Sequence, residues 1–153
     1  MIGVARRTLR ATTAAAAMLA IAASPSLAQQ AVGKASQVKN QVSGSVGKRN
    51  LSVADPVYRS ERISSGPASF GEMLLIDDSK VLVGENSEIS LDNFVVSDGG
   101  IRRATLNVAK GAFRFISNGK DDANYQIKTP LSTIGVRGTL FDVYVENGLT
   151  RVV

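Results

Sequence analysis

Met73-Leu74-Leu75-Ile76-Asp77-Asp78-Ser79-Lys80-Val81-Leu82-Val83 reads as two short strands around a turn. The apolar runs on either side have the length of ordinary strands, and Asp77 and Asp78 tolerate the left-handed and Asx-turn geometry that a hairpin needs. The same unit recurs in both directions. Upstream, Val42, Gly44 and Val46 alternate with Ser43 and Ser45. Downstream come a turn at Gly84-Glu85-Asn86, Ile89 and Leu91 on one strand face, Phe94-Val95-Val96, and a turn at Asp98-Gly99-Gly100. Leu106 and Val108 alternate, Lys110-Gly111 interrupts, and Phe113 and Phe115 flank Arg114. After the polar loop Asn118–Asp122, Tyr125 and Ile127 lead into Thr129-Pro130, and Phe141, Val143 and Val145 share one face of the last long strand. Asn147-Gly148 is the pair best suited to a type I′ hairpin, with Leu149–Val153 as the return strand. No long segment beyond the leader shows the 3.6-residue period of an amphipathic helix. The expectation is an all-β fold of about ten short strands in a sandwich, a partly closed barrel or a short β-solenoid, without parallel βαβ units.

The amino terminus belongs to a different regime. Arg6, Arg7 and Arg10 precede an Ala-rich apolar stretch with Met18, Leu19 and Ile21, and Ser26-Leu27-Ala28 offers a small-x-small cleavage site. This is the pattern of a helical secretory signal peptide over 1–28, cut between Ala28 and Gln29, with Arg6-Arg7 fitting twin-arginine as well as Sec export. At 13 residues the apolar stretch falls short of the roughly 20 that span a bilayer, so the mature chain is expected to cross no membrane. Gln29 after the cut excludes a cysteine-acylated lipoprotein. The expected organisation is this leader, a leading segment at 29–37, and one β domain over 38–153, with a carboxyl end that reads as a natural sheet edge or as a truncation.

The leader takes three of the 18 basic residues with it, leaving 15 against 13 acids. Residues 29–54 carry Lys34, Lys39, Lys48 and Arg49 and no acid, while 55–153 carry 11 basic and 13 acidic residues. Nucleic acid is therefore not an expected partner; the basic leading segment reads as a solvated strand or linker, or as a contact to an anionic envelope polymer. The 153 residues contain no His, Cys or Trp. That removes Ser-His-Asp and thiol catalysis, Cys/His zinc sites, thiolate-ligated clusters, His- or Cys-ligated haem and disulfide bonds. Carboxylates remain as bases, but Asp77-Asp78 and Asp121-Asp122 sit in turns, where neighbouring acids serve the backbone, and no Asp-x-Asp-x-Asp-Gly calcium loop occurs. No metal or cofactor is expected. Phe113, Phe115 and Phe141 fit core alternation rather than a stacking platform.

In Lys128–Val145, Pro130 fixes its own φ and biases Thr129 to extended geometry, which suits a strand start or bend. Gly135 and Gly138 bracket Val136-Arg137 and permit a bulge or a crossover past a close backbone, after which Thr139 opens a new alternation. Arg137 presents a five-donor fork either to a ligand carboxylate or phosphate, or to its own chain to fix that crossover; the second is the expectation.

The run Thr129-Pro-Leu-Ser-Thr-Ile-Gly-Val-Arg-Gly-Thr-Leu-Phe-Asp-Val143 resembles the closing segment of the FecR-like domain, a periplasmic module. Earlier pieces agree in order: Glu61-Arg-Ile-Ser-Ser-Gly66, Leu75-Ile-Asp-Asp-Ser79, Gly84-Glu-Asn-Ser87 and Leu106–Phe115, with Asp78 at a turn position usually held by Gly and Glu85 at one held by Pro. The resemblance covers about residues 38–145. It implies that Thr129, Pro130, Gly135, Arg137, Gly138, Thr139 and Phe141 are framework residues. Regulators of this family resemble an anti-sigma segment, a membrane helix and this domain; a signal peptide in their place argues against an anti-sigma role. The resulting expectation is an exported, non-catalytic module that binds a protein partner, by strand addition to an exposed edge, in the periplasm or envelope. Alternatives are a sensor component of iron-transport signalling, a scaffold for envelope polysaccharide, and an envelope hydrolase using Asp92 or Asp142.

Overall fold

The computed structural model describes residues 29–98, 100–118, 124–136 and 140–153. The leader with Ala28, the Asp121-Asp122 pair, and Arg137, Gly138 and Thr139 lie outside the described residues. The all-β class holds. Thirteen strands are present among the described residues: β1 Ala31–Lys39, β2 Val42–Gly44, β3 Arg49–Asn50, β4 Pro56–Tyr58, β5 Arg62–Ser65, β6 Phe70–Leu75, β7 Lys80–Val83, β8 Glu88–Ser97, β9 Gly100–Ile116, β10 Asn124–Lys128, β11 Thr133–Val136, β12 Leu140–Glu146 and β13 Leu149–Val152. Val46–Lys48 forms one 3-10 turn.

The strands form one hydrogen-bonded sheet, and β9 explains its shape. Its first half pairs with β8 on one side and, in parallel, with β10 on the other; its second half pairs with β7 and β12. Two wings therefore share this strand. The back wing runs β3-β2-β5-β8-β9-β10-β11, and the front wing runs β4-β1-β6-β7-β9-β12-β13. Between them the ladder slips: Glu88 pairs with Lys110 but Ile89 with Val108, so Ala109 is an extra residue, and Gly111 follows at φ +93°. A bulge bends a strand and flips its phase. Accordingly Ala104, Leu106 and Val108 face inward before the bend, and Phe113 and Phe115 after it. The expected interruption at Lys110-Gly111 is thus a corner within one 17-residue strand.

The curl brings the inner faces together as a half-barrel around one core, drawn from Ile63, Leu91, Leu106 and Ile127 of the back wing and Met73, Val81, Phe115 and Val143 of the front. Of the expected sandwich, partly closed barrel or short solenoid, the partly closed barrel is the one found: a single curled, mainly antiparallel sheet. With no disulfide available, this shared core carries the stability; each fully buried Val, Leu, Ile or Phe side chain contributes about 1.5–3 kcal/mol.

One correction follows from register. The stretch expected as a leading segment is β1, an interior strand between β4 and β6 with Val32 and Ala35 buried. Its buried side chains fall three residues apart because the ladder shifts between Ala31 and Gly33 and again between Ala35 and Gln37, which hides a period of two. Beside the antiparallel ladders stands one parallel pair, β9–β10.

Candidate interaction surface

The polar residues of the recurring motifs hold the curl together. Ser87 is buried at the corner, where its hydroxyl accepts from the Ala112 N–H at 2.9 Å and its own N–H donates to Ser65 Oγ at 3.0 Å. A side chain at Gly111 would drive into Ser87, with Cβ 2.6 Å from the Ser87 Cα, so glycine is needed here for space as well as for φ. Glu61 is fully buried and accepts from the Tyr58 N–H at 2.9 Å, while Arg49 Nη1 lies 3.2 Å from its Oε1; Arg49 also sits over the Tyr58 ring at 5.2 Å. This pair ties the β2–β3 hairpin to β4 and β5.

At the Asp77-Asp78 turn, Asp78 takes φ +66°, the left-handed geometry expected of it. Asp77 accepts from the Ser79 N–H at 3.0 Å and from the Tyr125 hydroxyl at 2.5 Å, a bond across the core from front wing to back. Burial, reinforced by the Asp77 bond, drives the Tyr125 phenol well above its ordinary range. These acids serve the backbone.

The framework residues divide. Thr129, Pro130, Leu131 and Ser132 form the β10–β11 hairpin turn, in which the Ser132 N–H donates to Thr129 Oγ1 at 3.0 Å. The Thr150 hydroxyl donates to the same Thr129 oxygen at 2.9 Å and so joins the free ends of the two wings. Gly135 lies in β11, and a side chain there would meet no described atom within 4 Å, so close backbone approach is not its reason. Phe141 is half-buried with its ring 5.5 Å from Phe115 and 6.5 Å from Phe113, as core. Gln29 is exposed.

The outer faces differ sharply. On the back wing the cross-strand rows read Arg62, Ser90, Asn107, Lys128, Thr133; then Asp92, Thr105, Gln126, Gly135; then Val95, Arg103, Asn124, mainly polar with the half-exposed Val95 as the apolar exception. On the front wing they read Lys34, Leu74, Lys80, Ile116, Leu140; then Gln37, Glu72, Leu82, Arg114, Asp142; then Ala112, Tyr144, Arg151 beside Lys39 and Phe70. An apolar strip thus crosses the front face, with a shallow depression of about 190 Å³ between Phe70, Leu82, Ala112 and Tyr144. Arg114 grips Asp142 with two bonds, Nε to Oδ1 at 2.6 Å and Nη2 to Oδ2 at 2.7 Å, and Lys80 lies 3.3 Å from Glu72. The Arg114 hydrogen bond holds the Asp142 carboxyl below the usual carboxylate range. Lys34, Lys39 and Arg151 make no ion pair among the described residues. Lys34 and Lys39 of the basic leading segment therefore belong to this face, where β1 places them, while Lys48 lies in the 3-10 turn beside β2 and β3 of the back wing.

Among the described residues, β13 at the margin of this face pairs with β12 alone. Asp142 and Val153 exchange both main-chain bonds at 2.9 Å, and the register continues to Tyr144–Arg151. Antiparallel alternation then aims the N–H and C=O of Thr150 and Val152 away from β12, into the open plane of the sheet. Leu149 is 73% exposed and Val152 48%. The sequence pointed to this strand; it did not show that Phe70, Leu82, Tyr144 and the lysines of β1 share its face, because β1 was hidden by its bulges.

Asp92 lies on the back wing, hydrogen-bonded to Asn107, and Asp142 on the front, closed by Arg114. Among the described residues no three His, Cys, Asp or Glu side chains cluster as metal ligands, and no helix is long and apolar enough to cross a membrane.

A family model described as FecR protein matches residues 61–153. No curated protein and no solved structure matches the chain.

Proposed function

Since the chain belongs to the FecR family, we propose that it is an exported, non-catalytic β domain acting as a protein-interaction module in the periplasm or cell envelope. Family membership supports a role connected with envelope signalling. The observation that carries the reading is the outward aim of the Thr150 and Val152 main-chain groups of β13, which among the described residues pairs with β12 alone, beside the apolar side chains of the front wing. An extended segment of a partner adds there as an extra strand: main-chain bonds supply affinity and alternate side chains supply selectivity.

The test is capture from an envelope extract by the tagged exported chain, followed by mass spectrometry, compared with a chain lacking residues 149–153. Loss of a specific partner on deletion is the expected result; unchanged capture means the edge is not the docking element. The unpaired Lys34, Lys39 and Arg151 favour a second reading, an anionic envelope polymer lying on the same face. Polymer pull-down that vanishes at high salt and survives the deletion would establish it.

A further inference from the structure

We propose that the groove between Phe70 and Tyr144 on the front wing binds a neutral, N-acetylated oligosaccharide. The site goes beyond the edge reading and is independent of it, because no residue of β13 lines the groove. One outer-face row runs Phe70, Gly84, Ala112, Tyr144 across β6, the end of β7, β9 and β12. Its register follows from the ladders: Gly71 pairs with Val83, Val83 with Phe113 and Ala112 with Tyr144, and the Gly84 N–H donates to the Ala112 carbonyl at 2.9 Å. Three strand spacings set the two aromatic residues about 14 Å apart along the sheet. Only small residues lie between them, so the row is a trough with aromatic walls. Its floor has no spare room within the sheet: a Cβ at Gly84 would sit 3.1 Å from that of Ala112.

Two depressions, of about 190 and about 450 Å³, meet at Ala112 and Tyr144. Together they reach the size of small-ligand sites, about 300–1,000 Å³. The Tyr144 side chain stands between them and is 43% exposed.

The lining chooses the ligand. In the smaller depression Phe70 and Leu82 face the Arg114 and Asp142 pair. Arg114 uses Nε and Nη2 on Asp142, so its Nη1 donors and a second lone pair on each carboxylate oxygen remain side by side. The larger depression adds Glu85, Glu146, Asn86 and Asn147, with Lys110 as its cation. Glu85 Oε2 accepts from the Ala68 N–H at 2.8 Å, which leaves Oε1 to the groove. Three carboxylates, Glu85, Asp142 and Glu146, thus stand against two cations, Lys110 and Arg114. That balance disfavours an anionic polymer. Carboxylates call for donors on the ligand, and a proline-rich segment presents carbonyls without N–H groups. A sugar ring meets both demands. Its C–H face lies on an aromatic ring, while its hydroxyls donate to the carboxylates and exchange bonds with the amides. The apolar side at Phe70 and Leu82 takes the methyl of an acetamido group.

The experiment is an NMR titration of residues 29–153 with the β-linked tetrasaccharide of N-acetylglucosamine. The matching glucose tetrasaccharide, polygalacturonate and an oligoproline peptide are the comparison probes. Saturable shift changes are expected at Gly84, Ala112 and Tyr144, with the same affinity in low and high salt. The acetylated sugar is expected to bind about fourfold tighter than the glucose one, the worth of one buried methyl group. Tyr144→Ala should weaken binding about tenfold, and Tyr144→Phe, which keeps the ring, should retain it. Ala112→Leu fills the trough, keeps both aromatic walls and should abolish binding, so it decides the matter even if Tyr144→Ala fails to fold by circular dichroism. Absence of saturable shifts, or affinity unchanged in both folded Tyr144→Ala and Ala112→Leu, overturns the proposal. Equal binding of the glucose sugar overturns it as well. So does tighter binding of oligoproline, or of polygalacturonate with loss in high salt, which would make the groove a peptide or an anion site. Each of these results leaves the β13 reading standing.

Discussion

The front and back wings are each seven strands wide and share β9, yet their outer faces differ in apolar content. Polar and charged side chains dominate the back wing, with Val95 the half-exposed exception and Asn107 donating to Asp92. Across the front, Phe70, Leu82 and Tyr144 lie beside ion pairs and three unengaged cations, ending at a strand with open main-chain groups. Topology alone therefore does not choose the interacting surface. A curled sheet needs only its inner face apolar, so apolar side chains on an outer face are surplus to folding and mark where another surface is accommodated.

Substitutions sort along the same division. Phe115→Ala removes the ring that touches both Tyr125 of the back wing and Phe141 of the front, and is expected to cost about 3–5 kcal/mol in denaturant unfolding. Gly111→Ala meets both a positive φ and the Ser87 backbone, and is expected to cost about 2–3 kcal/mol and to loosen both wings together in hydrogen exchange. If only one wing loosened, the corner would not be the joint between them.

Tyr125→Phe breaks the bond to Asp77 across the core, at about 1–2 kcal/mol. Because the folded phenol ionises at higher pH than the unfolded one, its stabilisation is present below pH ~10 and declines above it. Chemical denaturation between pH 8 and 11 should show that decline, and the Phe variant should lack this tyrosine's share of it. Asp142 has the opposite sign. Its carboxyl, depressed by Arg114, stabilises the fold at neutral pH, and that contribution disappears as acid protonates it below the ordinary Asp range. Asp142→Asn should flatten the acid limb of the stability profile. The smallest effect belongs to the back wing: Gln126→Lys, on its exposed polar face, should change stability by less than about 0.5 kcal/mol and leave partner capture intact.

Turn chemistry was the most legible part of the sequence. Asp78 and the Asn147-Gly148 pair adopt the positive φ their residue types imply, and Glu146 pairs with Leu149 across a two-residue loop. Strands with unbroken alternation, such as β12, were equally plain. The hidden strand features share one cause: a bulge breaks the period of two. That concealed β1, with its buried residues three apart, and made the corner of β9 look like a gap. Glu61 and Ser87 were visible as motif residues but not as buried anchors, since their partners Arg49, Ser65 and Ala112 come from other strands or turns. The front-face surface depended on placing β1, and so emerged only with the register.

The most direct test is amide hydrogen exchange of residues 29–153, alone and in the presence of any partner isolated by the proposed capture experiment. Protection should appear at Thr150 and Val152, whose amides face outward, while the amides of β10 and β11 remain unchanged. Protection confined to the back wing, with β13 exchanging as freely as before, would contradict the assignment of the front-wing edge as the binding element.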